Sequence, residues 1–154
     1  MPASRSRRRT AADRGVKSVT LQTQALLRRD RFSRALGIEL VDARPGRVVL
    51  AMTVAPRHIN CFGAAHGGAL FTLADTAFGM AANTHGTIAV GIDTNMAFAV
   101  AVKAGDRLTA RATETIRGRR TAVYRVEIER QDKTVVAAFG GTVYLTGRPV
   151  APKA

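Results

Sequence analysis

The most constraining feature of this chain is the segment HGGALFTLADTAFGMAANTHG, residues 66–86, which is largely apolar and carries one carboxylate, Asp75. The segment predicts a helix over roughly 67–83, and a helix with almost no polar side must be covered on most of its faces. An unpaired carboxylate in such surroundings costs on the order of several kcal/mol in desolvation. No basic residue lies within a turn of Asp75 on this helix. Its charge therefore either meets a partner from elsewhere or is kept for chemistry.

The segments around this helix predict an antiparallel sheet. Residues 19–36 favour a helix that ends at Gly37, and Pro45-Gly46 marks a turn between two strands. The segments 38–44, 47–55, 87–102, 106–117, 121–130 and 134–146 favour strands, with clean alternation in 121–130, and four or five successive strands with short turns predict an antiparallel sheet. Because an antiparallel sheet needs one face covered, the economical arrangement is an α+β fold in which the sheet curls around the helix at 67–83.

Length and composition favour one domain without covalent cross-links. At 154 residues the chain is long enough for a sizeable core, which the 5% aromatic content assigns mainly to Ala, Val, Leu and Ile. Cys61 is the only cysteine, so no intrachain disulfide forms and a reducing cytoplasm is expected. No apolar run approaches the ~20 residues of a membrane span. The three histidines lack metal-ligand spacing, so we expect neither a metal nor a prosthetic group.

Positive charge is concentrated at the N-terminus. The net charge is +13, and residues 1–18 carry five Arg and one Lys against Asp13. This leader lacks the apolar core of a secretory signal and the aromatic platform of a base-binding arm, so a disordered basic tail is favoured over targeting or nucleic-acid binding. The predicted domain spans 19–147, followed by a loose tail at 148–154. The net charge of +8 left on 19–154 would still attract a polyanionic ligand.

The start of the predicted central helix suits an oxyanion. His66-Gly67-Gly68 places free backbone N–H donors of small residues at the positive end of the helix dipole. Gly67 and Asp75 are eight residues apart, which is about 12 Å along a helix axis. A carbonyl group held by one and attacked by the other must lie within ~3.5 Å of both. Two antiparallel helices in a two-fold dimer satisfy that requirement, so a catalytic Asp75 predicts at least a dimer.

The segment HINCFGAAHGGALFTLADTAFGMAAN resembles the signature of hotdog-fold acyl-CoA thioesterases of the phenylacetic-acid-degradation type. The similarity runs from about Phe32 to Tyr144, through GIDTNMAF, KAGDRLTARA, GRRTAVYRVEI and DKTVVAAFGGTVY. The resemblance implies an antiparallel sheet wrapped around one long helix, dimers joined through their sheets, and dimers commonly paired into tetramers. It also implies hydrolysis of an aromatic or medium-chain acyl-CoA thioester to a free acid and coenzyme A.

The resemblance also assigns roles within the site. The aspartate that matches Asp75 acts as a nucleophile or as a general base for water, and the amide that matches Gly67 polarises the thioester carbonyl. The residues that match His66 and Asn60 line the same site. Gly68 belongs to the substrate-binding candidates, which also include Thr72, Thr76 and Asn95.

A turn rich in arginine is the best candidate for binding the phosphates of coenzyme A. Related sequences often carry an Arg-Pro pair after the strand aromatic, whereas Phe98 here is followed by Ala99-Val100-Ala101. Arginine is the natural partner of phosphate oxygens. The resemblance places the nucleotide end of the substrate near the turn RGRRT, whose residues are Arg117, Gly118, Arg119, Arg120 and Thr121.

Several alternatives remain open on sequence alone. A hotdog dehydratase or hydratase would need a different helix sequence, and Asp75 argues against a non-catalytic acyl-CoA-binding module. A nucleic-acid binder would rest on the basic leader and the net charge only. Asn60 and His66 also have plainer interpretations, as a loop organiser and as a residue that satisfies backbone groups at the helix start. The pair Gly140-Gly141 predicts either a bulge or a close approach to ligand.

Overall fold

A computed structural model describes residues 11–150 of the chain. The order of elements is three helices among six strands: α1 (Ala11–Arg29), α2 (Arg31–Ala35), β1 (Glu39–Arg44), β2 (Arg47–Thr53), α3 (Gly67–Asn83), β3 (Thr87–Phe98), β4 (Arg107–Arg117), β5 (Thr121–Arg130) and β6 (Val135–Pro149). The strands form one antiparallel sheet in the order β1-β2-β4-β5-β6-β3. Helix α3 lies across this sheet, so the predicted α+β hotdog architecture is confirmed.

The core lies between α3 and one face of the sheet. The helix buries Leu70, Leu73, Ala74, Ala77 and Ala81, a spacing that keeps one stripe of the helix against the strands. The strands contribute the side chains on the sheet face that points towards α3. The ring of Phe78 packs on Tyr124 and Phe139 with centroid distances of 5.7 and 5.4 Å. The small size of most core residues lets the helix sit close to the sheet.

Glycine on β6 makes room for the largest of these rings. A Cβ built at Gly141 would lie 2.8 Å from Cζ of Phe78 and 3.0 Å from Phe139. The register across Gly140 and Gly141 is regular, opposite Arg125 and Tyr124 of β5. The pair is therefore not a bulge, and Gly141 approaches the core rather than a ligand.

Strand β3 forms one edge of the sheet and is unusually apolar for an exposed edge. Val90, Ile92 and Phe98 are 49%, 60% and 54% exposed, and Val100 follows just beyond the strand at 39%. β3 pairs only with β6 among the described strands, so its other side presents backbone N–H and C=O groups. A long apolar edge of this kind is a pairing surface for another chain.

The N-terminal region differs from its prediction in two ways. Residues 11–18, predicted as part of a disordered leader, form the exposed start of α1, because Ala, Arg and Lys are good helix formers and extend the packed part of the helix. Residues 1–10 lie outside the described part of the chain. The helix predicted over 19–36 is broken at Asp30, whose side chain caps α2.

The other differences lie at strand ends. β3 ends at Phe98 rather than at residue 102, and the N–H groups of Ala99 and Val100 both donate to the carbonyl of Val136. The tail predicted as loose from residue 148 is ordered through 148–150, because β6 continues to Pro149 and Val150 donates its N–H to a carbonyl of the α3–β3 turn. Residues 151–154 lie outside the described chain. None of the described helices is both long enough and apolar enough to span a membrane.

Candidate active site

His66 starts the central helix by capping it. Its Nδ1 accepts the backbone N–H of Gly68 at 2.8 Å, and its own backbone is extended. A Cβ at Gly68 would lie 3.0 Å from that Nδ1, so glycine lets the imidazole ring approach closely in the cap. Because Nδ1 accepts, the neutral ring carries its proton on Nε2, which faces outward on an exposed side chain. His66 therefore satisfies a backbone N–H at the helix start, as one of its two interpretations predicted. Its Nε2–H remains available to a ligand.

The backbone N–H of Gly67 is the free donor at this helix end. No hydrogen-bond acceptor contacts it among residues 11–150, whereas the N–H groups of Gly68 and Ala69 both bond to His66. A Cβ at Gly67 would lie 3.3 Å from Cζ of Phe98, so glycine lets the helix end approach the end of β3. The N–H opens into a groove of about 290 Å³.

Asn60 lines the same groove and also organises its own loop. Its Oδ1 accepts the N–H groups of Phe62 at 2.9 Å and Ala64 at 3.2 Å. With Oδ1 occupied, only the amide Nδ2 is left as a donor for a ligand. Nδ2 of Asn60 and the N–H of Gly67 are thus two donors among the residues that line this groove.

Asp75 lies in a second, larger groove of about 640 Å³ between α1, α3 and the start of β3. Its side chain is exposed in the single chain, with no ion pair or hydrogen bond to any described residue. Partial desolvation by the groove walls, followed by the negative charge of Asp30, raises the pKa of Asp75 above its ordinary value. A carboxylate with a raised pKa in a cleft is a candidate for acid–base or nucleophilic chemistry.

The two threonines near Asp75 have different partners. Thr72 donates its hydroxyl to the carbonyl of Gly68 at 2.8 Å, one turn back along the helix. Thr76 is 8% exposed, lines the groove beside Asp75 and hydrogen-bonds Ser33 at 2.9 Å. Thr76 is therefore placed with Asp75, and Thr72 serves the helix backbone.

Two groups of predicted ligand residues lie away from both grooves. Asn95 sits on the outer sheet face, where its Nδ2 lies 3.2 Å from a Cβ built at Gly140, in a separate depression beside Arg125. The RGRRT turn joins β4 to β5 at the end of the sheet where β3 begins, since Thr121 pairs with Tyr144, which pairs with Val90. Within one chain this turn is at the opposite end of α3 from Gly67.

One arginine of that turn has a partner inside the protein. Arg117 donates to Oε2 of Glu114 at 3.1 Å, and the same oxygen accepts the hydroxyl of buried Tyr124 and contacts Nε2 of His85 at 3.0 Å. The partial burial of Glu114 opposes its ionisation, but hydrogen bonds from Tyr124 and Arg117 outweigh it and lower the pKa. Arg119 and Arg120 are exposed on the turn.

Sequence reasoning missed the residues that α2 contributes to the Asp75 groove. Asp30 lines this groove, and its carboxylate accepts the N–H groups of Phe32 and Ser33, both at 3.1 Å. The signal was an aspartate three residues before a serine inside a segment interpreted as one continuous helix. Among residues 11–150, no cluster of three His, Cys, Asp or Glu side chains is arranged to hold a metal.

Comparison with known proteins gives consistent matches across most of the chain. The profile of the thioesterase superfamily matches residues 62–137. The acyl-coenzyme A thioesterase PaaI of Escherichia coli is 38% identical over 130 residues, covering 84% of this chain and 93% of that protein. The structure of the E. coli PaaI protein superimposes with a TM-score of 0.85 at 35% identity, covering 88% of this chain and 99% of that one.

A structure with a bound ligand is also similar. A Streptococcus mutans protein bound to acetyl CoA superimposes with a TM-score of 0.70 at 30% identity. The match covers 73% of this chain and 90% of the Streptococcus mutans chain. Both solved structures share the fold described above.

Proposed function

The chain belongs to the thioesterase superfamily, and from that premise we propose that it hydrolyses acyl-CoA thioesters, with Gly67 as oxyanion donor and Asp75 as nucleophile or general base. The observation that carries the proposal is that α3 holds two functional groups without partners. The Gly67 N–H lacks an acceptor and the Asp75 carboxylate lacks a donor among the described residues. The 38% identity with an acyl-coenzyme A thioesterase supports the substrate class.

The proposed site is shared between two subunits. Gly67 and Asp75 lie in different grooves of one chain and are about 12 Å apart along α3. Pairing of the apolar β3 edge with a second copy across a two-fold axis makes the two α3 helices antiparallel. Each Asp75 then faces the partner subunit's Gly67, and the exposed side chains of Val90, Ile92 and Phe98 become buried. Pairing of such dimers into a tetramer remains a prediction.

The chemistry needs no group beyond these residues. The Gly67 N–H, with Nδ2 of Asn60, stabilises the negative charge that develops on the thioester oxygen. Asp75 takes a proton from water as the water oxygen attacks the carbonyl carbon, or attacks the carbon itself and is released by water afterwards. The carbon–sulfur bond breaks and the proton goes to the thiolate of coenzyme A.

The same arrangement accounts for the RGRRT turn. In the antiparallel dimer the C-terminal end of one α3 lies beside the N-terminal end of the other, so this turn comes to the side of the partner's oxyanion donor. Arg119 and Arg120 are then the candidates for the phosphates of coenzyme A, because Arg117 is already bonded to Glu114. The apolar walls of the 640 Å³ groove, including Leu26, Met80 and Ile88, suit an aromatic or medium-chain acyl group.

Complementation between two inactive variants tests the shared site. Asp75→Asn removes the carboxylate, and Gly67→Pro removes the N–H and adds a ring at the first helical position, where proline fits. Gly67→Ala is the matched control, since it keeps the N–H while adding the same Cβ near Phe98. Each of the first two variants alone is expected to release thiol from a panel of aryl- and alkyl-acyl-CoAs at least ~10²-fold more slowly than wild type.

Mixed dimers of the two inactive variants should recover activity. One of the two sites in a mixed dimer combines an intact Asp75 with an intact Gly67, so random mixing restores about a quarter of wild-type thiol release. A mixture that stays inactive while mixed dimers form would refute the shared site. Wild-type protein that binds acyl-CoA without releasing thiol would instead identify a binding module.

A further inference from the structure

A buried chain of three hydroxyl and carboxyl groups links α2 to the residue after Asp75. Oγ1 of Thr76 lies 2.9 Å from Oγ of Ser33, and Ser33 donates its hydroxyl to Oδ2 of Asp30 at 2.7 Å. Ser33 is 1% and Thr76 8% exposed. Asp30, Asp75 and Thr76 line the same groove, so this series of hydrogen bonds reaches the groove where the proposed reaction takes place.

The direction of the hydrogen bonds follows from the donor inventory. A carboxylate only accepts, so the single proton of Ser33 is committed to Asp30. The bond between the two hydroxyls then requires Thr76 as the donor and Ser33 as the acceptor. With its own proton turned toward Ser33, the Thr76 oxygen can only accept a hydrogen bond from the groove.

We propose that Asp30 and Ser33 are positioning residues for the hydrolytic water, because they orient Thr76 as an acceptor beside Asp75. This inference rests on the proposed thioesterase function and deepens it. One O–H of the water donates to Oγ1 of Thr76, and the other gives its proton to the Asp75 carboxylate. The water lone pair forms the new carbon–oxygen bond, the carbon–sulfur bond breaks, and the proton passes from Asp75 to the sulfur.

The charges around Asp75 agree with this role. The charged groups that face it from neighbouring elements of its own chain are Arg29 and Asp30, at the α1–α2 junction, while the groove walls from α3, β3 and the C-terminal segment are neutral. Asp30 adds to the desolvation that raises the pKa of Asp75. In the proposed dimer, the partner subunit's His66 and the exposed Arg119 and Arg120 of this chain's RGRRT turn are the additional charged or titratable groups on this side of the site. A higher proton affinity suits a carboxylate that must take a proton from water.

The test separates the hydroxyl of Thr76 from its shape. Thr76→Val is nearly isosteric but removes the acceptor, and it leaves Ser33 still bonded to Asp30. Thr76→Ser keeps the hydroxyl and serves as the conservative rescue. Ser33→Ala leaves the Thr76 proton free to rotate into the groove, where it would repel the water proton. Thermal melting and size-exclusion chromatography establish that each variant folds and associates.

We expect Thr76→Val and Ser33→Ala to lower kcat for acyl-CoA hydrolysis about tenfold with little change in KM, the loss of one hydrogen bond to the reacting water. Thr76→Ser should retain most of kcat. Unchanged kcat in both Thr76→Val and Ser33→Ala would overturn the positioning role and leave a purely structural contact. The same unchanged kcat beside an inactive Asp75→Asn would leave the thioesterase function intact.

Asp30→Asn gives a second, independent measurement. Asparagine is an equally good helix cap, so the variant removes charge while keeping α2. Loss of the negative charge lowers the pKa of Asp75, so the acid limb of kcat/KM moves to lower pH. Asp132→Asn, a loss of the same charge in the distant β5–β6 turn, should leave the profile in place. An unmoved acid limb in Asp30→Asn would overturn the effect of the Asp30 charge on Asp75. Wild-type protein without thiol release would overturn both the thioesterase function and the positioning role of Asp30 and Ser33.

Discussion

Two carboxylates of this chain differ in their surroundings: Glu114 is half-buried on β4, and Asp75 is exposed at the groove beside α3. Oε2 of Glu114 contacts Tyr124, Arg117 and His85, and its pKa is lowered. Asp75 has no such partner in the single chain, and its pKa is raised. A carboxylate with several hydrogen-bond donors stabilises the fold that holds it, whereas a carboxylate without donors and with a raised pKa at a groove is a candidate for chemistry.

The largest expected effect separates the two residues by activity. Asp75→Asn should lower thiol release from acyl-CoA at least ~10²-fold, because the group that attacks or takes the proton is lost. Glu114→Gln, which removes the same charge at the other cluster, should stay close to wild type. Assays of both variants at equal protein concentration make this comparison. Comparable losses in the two variants would mean that Glu114 also serves the site.

The reverse comparison is expected for stability. Glu114→Ala leaves the buried Tyr124 hydroxyl, Arg117 and His85 without their shared acceptor, which should lower the free energy of unfolding by about 2–3 kcal/mol. Glu127→Ala, on the exposed outer sheet face, should change it by less than about 0.5 kcal/mol. Urea unfolding followed by circular dichroism measures both. Equal values for the two variants would contradict the structural role of the cluster.

Removal of a single donor should have a smaller effect. Tyr124→Phe takes one of three partners from Glu114 and should lower the free energy of unfolding by about 1 kcal/mol, the usual value of one hydrogen bond. The ring still packs against Phe78, so the core keeps its shape. A loss as large as that of Glu114→Ala would show that the hydroxyl alone holds the cluster together. Denaturant midpoints at constant m-value provide the comparison.

Opposite pH dependences are the finest distinction between the two carboxylates. The folded pKa of Glu114 is lowered, so its stabilising contribution is present above the ordinary value of 4.5 and is lost as pH falls through the folded pKa. The folded pKa of Asp75 is raised, so its favourable contribution is full below 3.8 and is lost as pH rises through the folded pKa.

Stability curves of the two neutral variants should therefore diverge. Compared with wild type, Asp75→Asn should be equally stable in acid and more stable at neutral pH, while Glu114→Gln should be less stable at neutral pH and match wild type in acid. Melting temperatures between pH 3 and 7.5, about the range that covers both groups, measure this. Parallel curves for the two variants would contradict the assigned directions.

The sequence predicts the central helix and its start well because both depend on neighbouring residues. His66, Gly67 and Gly68 act within one turn, and the eight-residue spacing to Asp75 fixes an axial distance in any helix. The break before α2 was equally local, since Asp30 is a good cap, but the apolar pattern of residues 19–36 hid it. Helix starts and caps can therefore be predicted from neighbouring residues unless a longer apolar pattern runs through them.

Faces of strands were harder to predict because they depend on register. Asn95 was grouped with the substrate site, yet its position opposite Gly140 puts it on the outer face, and a shift of one residue would reverse that. Glu114 follows Leu108, Ala110 and Ala112 in the inward phase of β4, a signal that sequence reasoning passed over. Arg117 lies three residues from Glu114 on the same strand, but Tyr124 comes from β5 and His85 from the α3–β3 turn, and only the assembled fold brings these two to Glu114.

The apolar edge of β3 has a consequence for how the protein behaves at different concentrations. If turnover requires two chains, a free subunit contains every residue of the site but no complete active site. The specific activity then depends on the fraction of subunits that are paired, which mass action sets. Dilution below the dissociation constant of the dimer should abolish activity without unfolding the protein. Added substrate that contacts both chains should favour the dimer and restore activity. The concentration of the protein in the cell would then control its activity through the pairing of β3.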